Sequence, residues 1–532
     1  MKDERVWLAS DCIVEPLFDC WYAWAYLLPP LHAGMMVRAR HIPVMESFVD
    51  APELHVEALK NPDLIGGPYL ASPVGDRERI AELLAWTKET SRPLLAIADA
   101  YDELERTLRS APPTMSIEPL YAAVPEPLRG YVELVFDRWH QPSARILEAL
   151  LYRSEYFDRK RQAIALQRAD FDHREFVFST PRLPSSTPGG VKLDIAYDSK
   201  RLDLLFRART EGVSLALLRD TLRQSADDSL AFDKLFVASP PVPRPREAVT
   251  KGLNVRYFGH ACALVEGREF SVLIDPLIPC DGSGPVRFSY ADLPDRIDFV
   301  LLTHSHQDHV ALETLLQLRH KIGEVIVPRS ASGTMLDPSL RLLLNAAGFA
   351  RVREVEDMDS IELPGGGEIL ALPFFGEHGD LDIRTKNSYA VRAAGKTVAF
   401  LADSNGLEPL VYERLAKELG ELDLLLIGLE CTGAPVSWLY GPLLGAPLRR
   451  RSDQSRRLNS SDCQRAMLVT NALRPKRSYV YAMGGEPWCR FMTSVHYTDE
   501  SAPIVESNKY ISACAEKGIE CERLYGAADI RV

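Results

Sequence analysis

Apolar residues run through this chain with two rhythms, and the change between them falls at Pro240-Pro241-Val242-Pro243-Arg244-Pro245. Four prolines in six residues suppress helix and sheet alike, so the stretch reads as an extended connector and a domain boundary. Before it, helical spacing over Asp76–Lys88, Ser143–Arg153 and Leu202–Ser225 alternates with short strand-like pieces such as Glu175–Phe178. After it, short apolar runs are separated by turns and single helices. Strands are predicted at Asn254–Phe258, Ser271–Ile274, Phe299–Leu302, Val325–Val327, Glu368–Leu372, Tyr389–Val391, Val398–Leu401 and Leu422–Ile427. Helices are predicted at Leu312–Arg319, Ser339–Ala347, Pro409–Glu418, Ser461–Leu473 and Val505–Lys517, and Ala393-Ala394-Gly395-Lys396 predicts a hairpin turn. Strands followed by helices, twice over, predict two sheets packed face to face with helices outside. The expected fold class is α+β: a mixed α/β domain over residues 1–245, then the sandwich over residues 246–532.

Composition narrows the function classes. A length of 532 residues suits two domains, and fractions of 46% hydrophobic and 26% charged residues are those of a globular chain. The formal charge of −12 argues against sequence-independent binding to nucleic acid or an anionic membrane, so neither partner is expected. Arg449-Arg450-Arg451, followed by Arg456 and Arg457, is the local exception, a basic cluster suited to phosphate or an acidic partner surface, with a solvated loop as the plainer reading. The 9 cysteines include no CxxC pair, which fits buried thiols in a reducing cytoplasm. The N-terminus carries mixed charge and no signal-peptide pattern, so a cytoplasmic location is expected. The uncharged span Cys20–Val37 approaches the length of a membrane helix, but Pro29-Pro30 interrupts it. Trp21, Tyr22, Trp24 and Tyr26 make it a buried aromatic segment or an interface.

The chemistry concentrates in Thr303-His304-Ser305-His306-Gln307-Asp308-His309, which follows the apolar run Ile297–Leu302. His304 and His306 can face one metal from a loop, while Asp308 and His309 reach a second metal beside it. Gly282-Ser283-Gly284 lacks the third glycine and the helix of a dinucleotide loop, and is read as a turn.

In its order of motifs the chain from about Gly252 onward resembles the metallo-β-lactamase superfamily. The resemblance rests on the His-x-His-x-Asp-His loop, on Gly259-His260-Ala261 and Leu273-Ile274-Asp275-Pro276 as opening strands, and on Phe400-Leu401-Ala402-Asp403 as the strand bearing a bridging aspartate. It implies an αββα sandwich with a dinuclear metal site on its rim. Where the superfamily carries a further ligand this chain reads Gly376-Glu377-His378-Gly379. In an extended segment two neighbours point to opposite sides, so one of Glu377 and His378 is expected to be the ligand. His378 would give a nitrogen-rich shell of zinc-hydrolase type, Glu377 a harder and more anionic one suited to iron. Gly484 stands where the superfamily has its last histidine, which leaves an open position at the second metal. His496 is read as structural.

These departures and the large preceding domain are similar to the diiron β-hydroxylases of nonribosomal peptide antibiotic pathways, the chloramphenicol-pathway type above all. That resemblance implies His304, His306 and Glu377 on one iron, Asp308 and His309 on the other, and Asp403 between them, with Glu377 and Asp403 the residues nearest the chemistry. It implies a monooxygenase using two iron ions, O2 and external electrons from an unidentified donor. The substrate would be an aminoacyl group, aromatic as in p-aminophenylalanine, on the phosphopantetheinyl arm of a synthetase carrier domain. The first domain would present substrate, dock the carrier or form a homodimer. The competing expectation is a binuclear zinc hydrolase of a thioester or lactone, with His378 as ligand.

Overall fold

The computed structural model describes residues 5–61, 64–112, 115–183, 190–222 and 229–532. Two seven-stranded sheets build the C-terminal half. The first runs Val352–Val355, Ile322–Pro328, Ile297–Leu301, Ser271–Ile274, Cys262–Glu266, Asn254–Gly259, Ala528–Arg531. The second runs Ser360–Glu362, Glu368–Leu372, Ser388–Ala393, Lys396–Phe400, Leu424–Gly428, Arg477–Tyr481, Glu520–Arg523. Followed along the chain, each starts with antiparallel pairs and turns parallel, at Ser271–Ile274 in the first and at Lys396–Phe400 in the second. Alternation along the strands turns Val255, Tyr257, Val272 and Ile274 of one sheet toward Ile369, Val391, Val398 and Phe400 of the other, forming one buried inner core. Gly395 at φ 71° follows Ala394 at φ 51° in the hairpin joining Ser388–Ala393 to Lys396–Phe400, the paired positive angles that such a two-residue turn requires.

The outer face of the second sheet carries helices Pro409–Leu419, Cys463–Leu473 and Ala502–Glu516. The outer face of the first carries helices Leu312–Leu318 and Leu340–Ala346, and the N-terminal part covers these in turn within one continuous apolar cluster. That part holds a four-stranded sheet ordered Trp21–Tyr22, Cys12–Phe18, Gln162–Arg168, Val191–Leu193, and a bundle that includes Pro30–Met36, Arg77–Thr90 and Arg92–Ser110. Residues 238–250 form neither helix nor strand. Cys20–Met36 is buried throughout, and among the described residues no helix is long and apolar enough to cross a membrane.

Three local expectations in the N-terminal part fail. Ser143–Arg153 is not a helix: Pro142–Ile146 pairs with Val132–Phe136, since Ser-Ala-Arg-Ile also satisfies a period of two, and only Glu148–Leu151 is helical. Glu175–Phe178 is not a strand, because its backbone bonds to scattered partners, Val177 N–H donating to Phe491 O at 2.9 Å. Leu202–Ser225 divides into Lys200–Arg207 and Leu215–Leu222 around a short strand, Val213–Ser214, that pairs with Arg5–Val6; positions 223–225 lie outside the described residues.

Candidate metal centre

The parallel strands of both sheets end on one rim, where loops have room and side chains converge. Ser271–Ile274 ends at Asp275, Ile297–Leu301 leads into Thr303 and the histidine loop, and Lys396–Phe400 leads to Asp403. Several of these turns hold left-handed residues that are not glycine: His260 at φ 50°, Asp275 at 41°, Glu377 at 68° and Ala402 at 46°. Such conformations persist only where surrounding contacts enforce them, and they collect at functional sites.

Three sets of donor atoms lie within 4.8 Å of one another: His304, His306 and Glu377; His304, His309 and Asp403; His260, Asp308 and His309. In the first set His306 Nδ1 is 2.9 Å from Glu377 Oε1 and 3.2 Å from His304 Nε2. Asp403 Oδ2 lies 3.8 Å from His304 Nε2 and 3.0 Å from His309 Nε2, so one carboxylate oxygen stands between the two groups. On the far side Asp308 Oδ2 is 3.9 Å from His309 Nε2 and 3.2 Å from His260 Nε2.

The opposite ring nitrogens are occupied in ways that fix which nitrogen faces inward. His309 Nδ1 donates to Asp275 Oδ2 at 2.8 Å, and the same oxygen accepts from Thr303 Oγ1 at 2.6 Å. Thr303 Oγ1, which donates to Asp275, in turn accepts from His304 Nδ1 at 3.0 Å, and Tyr440 OH lies within hydrogen-bond distance of His306 Nε2 at 2.9 Å. Each histidine therefore turns its other ring nitrogen to the centre, the nitrogen a metal would take in place of a proton; at His309, Asp275, Asp308 and Asp403 outweigh burial and hold the imidazole well above its ordinary value.

The electrostatics fit a missing positive charge. Burial, then His309 and His306, push His304 well below its ordinary value. Burial, then the negative charges of Asp403 and Glu430, push the Glu377 carboxyl well up. His309 Nε2, Asp403 Oδ1 and both nitrogens of His260 are buried without hydrogen-bond partners, a cost that coordination to cations removes.

Two signatures divide the chain between them. The diiron non-heme beta-hydroxylase N-terminal domain matches residues 7–240, and a beta-lactamase superfamily domain matches residues 271–477. Over 538 aligned residues the chain is 36% identical to the 4-amino-L-phenylalanyl-(CmlP-peptidyl-carrier-protein) 3-hydroxylase of Streptomyces venezuelae, covering 99% of this chain and 100% of that protein. This chain belongs to the diiron non-heme β-hydroxylases. Among solved structures the hydroxylase is similar to CmlA, a diiron beta-hydroxylase from Streptomyces venezuelae, with a TM-score of 0.91, 35% identity and 100% of both chains covered. A mutant of the CmlA beta-hydroxylase gives a TM-score of 0.88 at 35% identity, covering 99% of this chain and 100% of that one. The cofactor of the hydroxylase is a pair of iron ions.

The structure brings His304, His306, Asp308, His309, Glu377 and Asp403 to one rim. It changes the argument about Glu377 and His378, because Gly376 at φ 74° and Glu377 at φ 68° make a turn and not an extended segment. Both side chains stay close to the histidine loop: the His378 ring is 4.6 Å from that of His306, with Nε2 buried and unpartnered, yet His378 joins none of the converging donor sets. His496 is exposed and outside every set. Sequence reasoning missed three contributors. Asp275 and His260 sat inside motifs quoted only as strands, and Tyr440, whose ring is 5.5 Å from Tyr26, belongs to Pro435–Gly445, a segment the sequence offers as a flap over the site without singling out this residue.

Proposed function

We propose that the hydroxylase inserts oxygen at the β-carbon of an aminoacyl group, foremost an aromatic one such as 4-aminophenylalanyl, held as a thioester on the carrier domain of a nonribosomal peptide synthetase in antibiotic biosynthesis. The observation that carries this reading is that 36% identity to a hydroxylase of a carrier-bound aminoacyl substrate spans the N-terminal part as well as the sandwich. Bound at the rim, the irons supply O2 activation with electrons from an external donor, a redox chemistry that zinc lacks.

The residues around that cofactor have separable tasks. His304, His306 and Glu377 would hold one iron, Asp308 and His309 the other, with Asp403 between. The anionic share of this set, Asp308, Glu377 and Asp403, suits iron better than a wholly nitrogen shell would. Asp275, which can only accept, fixes a proton on His309 Nδ1, and Tyr440 orients the His306 ring. The first domain supplies Tyr26, whose hydroxyl lies 3.1 Å from Ser305 Oγ inside the histidine loop.

The carrier is proposed to dock beside the turn that bears Glu377. Arg449, Arg450 and Arg451 are exposed there, and the neighbouring Arg456 Nε donates to Gly379 O at 2.6 Å. Exposed guanidinium groups suit the phosphodiester of a phosphopantetheine arm. Replacing the three exposed arginines with serine should weaken binding of loaded carrier; unchanged affinity would remove this docking face.

The decisive measurement is Mössbauer spectroscopy on protein grown in labelled iron, followed by reduction and exposure to O2 with loaded and unloaded carrier. Coupled irons that oxidise productively with loaded carrier, yielding an aminoacyl group heavier by one oxygen, are expected. Stoichiometric zinc with thioester cleavage that needs no O2 would overturn the proposal in favour of a hydrolase.

A further inference from the structure

We infer that Arg40 is the centre of an oxyanion site in the N-terminal part, which takes a phosphate group as the counter-ion that the protein itself does not provide. The inference is independent of the iron reading above.

The turn that carries Arg40 is set by Pro43, inside the continuous helical stretch from Pro30 to Asp50. A proline there lacks the N–H that the carbonyl four residues back would accept, and its ring pushes on that carbonyl, here Ala39 O. The chain answers with a wide turn over Val37–His41, in which Ile42 N–H bonds to Val37 O five residues back. Such turns are rare and collect at functional sites.

Three segments meet at this turn. The His41 ring stacks on Trp21 with centroids 4.0 Å apart, Arg40 Cζ lies 5.8 Å from the Phe178 ring, and Arg182 N–H donates to Cys20 O at 2.6 Å. Residues 20–21, 40–41 and 178–182 thus close a triangle, and within it the hydrogen-bond account does not close. Arg40 Nη1, Trp21 Nε1, Ser179 Oγ and Thr180 Oγ1 are all buried, and none has a partner. Four unused donors on three touching segments, one of them a cation, call for an acceptor from outside.

No carboxylate fills that role. Arg38, Arg161, Arg174 and Arg182 of the same part each pair with an aspartate or glutamate, whereas Arg40 pairs with none among the described residues. Burial pushes Arg40 down to about 10 with no negative charge to oppose it, and burial, then Arg40 and Arg161, hold His41 well below its ordinary value. The Phe178 ring sits near the outer limit of a cation–π contact, about 6 Å, and does not neutralise the charge.

The ligand chemistry follows from the donors. A guanidinium fork beside hydroxyl and indole groups suits a tetrahedral oxyanion with several acceptor atoms, phosphate above all. Arg40 is half-buried and Ala39 beside it is exposed, so the site opens at the surface. It is separate from the metal rim: Phe178, Trp24 and Tyr26 stand ring to ring between it and Ser305 of the histidine loop.

The test is the melting temperature of the full-length holoenzyme as inorganic phosphate replaces chloride at constant ionic strength. A saturable rise of about 2 °C at a hundred times the half-saturating concentration is expected. Arg40→Met should lose that rise and, freed of an uncompensated cation, melt no lower than the wild type in chloride. Should it not fold, Arg40→Lys takes its place; it keeps the charge and loses the fork, so about tenfold more phosphate should be needed. Phosphopantetheine without its carrier distinguishes the sources of the group. A rise with phosphopantetheine assigns the site to a phosphate ester such as the carrier's arm, which would move the arm's anchor from Arg449 to here; a rise with inorganic phosphate alone assigns it to the free anion. No saturable rise with either ligand overturns the inference. So does a rise that Arg40→Met retains, which would place the phosphate at the irons or on the Arg449 cluster.

Discussion

The two sheets of the sandwich cover their outer faces by different means. On the second sheet, helix Pro409–Leu419 buries Tyr412, Leu415 and Leu419, and helix Cys463–Leu473 buries Ala466, Val469, Thr470 and Leu473, while the other sides meet solvent. These are ordinary one-faced helices. On the first sheet, every residue of helix Leu312–Leu318 is buried, Glu313 and Gln317 included. The N-terminal part makes that tolerable by bringing two arginines inward, Arg174 Nη1 to Glu313 at 2.7 Å and Arg209 Nε to Gln317 at 2.8 Å, and by offering Asp203 to Arg319 Nε of the sandwich at 2.8 Å. Arg174 also lies 3.6 Å above the Phe491 ring and pairs with Asp172. The difference teaches that over helix Leu312–Leu318 the N-terminal part is a structural layer of the catalytic sandwich, whereas helix Leu340–Ala346 on the same face buries only Leu340, Leu343 and Leu344.

The largest expected effect is at Arg174. Arg174→Ala leaves Glu15, Asp172 and Glu313 in the interior with their shared cation removed, which should cost about 3–5 kcal/mol in urea unfolding. The two buried glutamates already respond differently. Burial pushes Glu313 up to about 7 despite Arg174, whereas at Glu15 Arg182 and Arg174 outweigh burial and hold the carboxyl below its ordinary value. A loss no greater than that of a surface ion pair would break the comparison between the sheets.

On the second sheet the corresponding change is Leu415→Ala, an apolar truncation expected to cost about 3 kcal/mol through lost burial and a residual cavity. Combining the two changes sharpens the comparison, because sites on opposite outer faces should add; a large coupling energy would show that the faces are not independent.

A smaller, pH-dependent effect lies where the N-terminal part meets the catalytic loops. Glu148 is buried, accepts from Ser339 N–H at 3.1 Å, and is pushed by burial from 4.5 to about 7. A carboxyl raised in the folded state favours folding below its unfolded value, and that contribution is lost as pH rises through the folded one. Stability at this site should thus decline between about pH 4.5 and pH 7, the values that bracket the shift. Glu148→Gln should flatten that slope in thermal melts across the interval. Least of all, Arg353→Ala removes a partly exposed ion pair to Glu324 at 2.9 Å between edge strand Val352–Val355 and its neighbour Ile322–Pro328, and should change stability by less than about 1 kcal/mol.

How far the sequence could be read follows the same division. In the sandwich, short buried strands with turn residues between them satisfy one template, and Asn254–Gly259, Ser271–Ile274, Glu368–Leu372 and Leu424–Gly428 appear where the pattern put them, within a residue or two. In the N-terminal part, Pro142–Ile146 fits both helical and strand rhythms, and only its partner Val132–Phe136 decides. The histidine loop was legible because its candidate donors are adjacent in sequence. His260, Asp275 and Tyr440 were not, since each reaches the centre from a separate element and is recognisable only by what it touches.

One feature of the rim bears on traffic to the metals. The side chains of His304 and His309 are fully enclosed, whereas Asp308 keeps 17% and Asp403 11% of its surface exposed. Solvent therefore reaches this rim at two carboxylates, while the two imidazoles between them stay out of its reach, so the exposed part of the centre is oxygen and its enclosed part nitrogen.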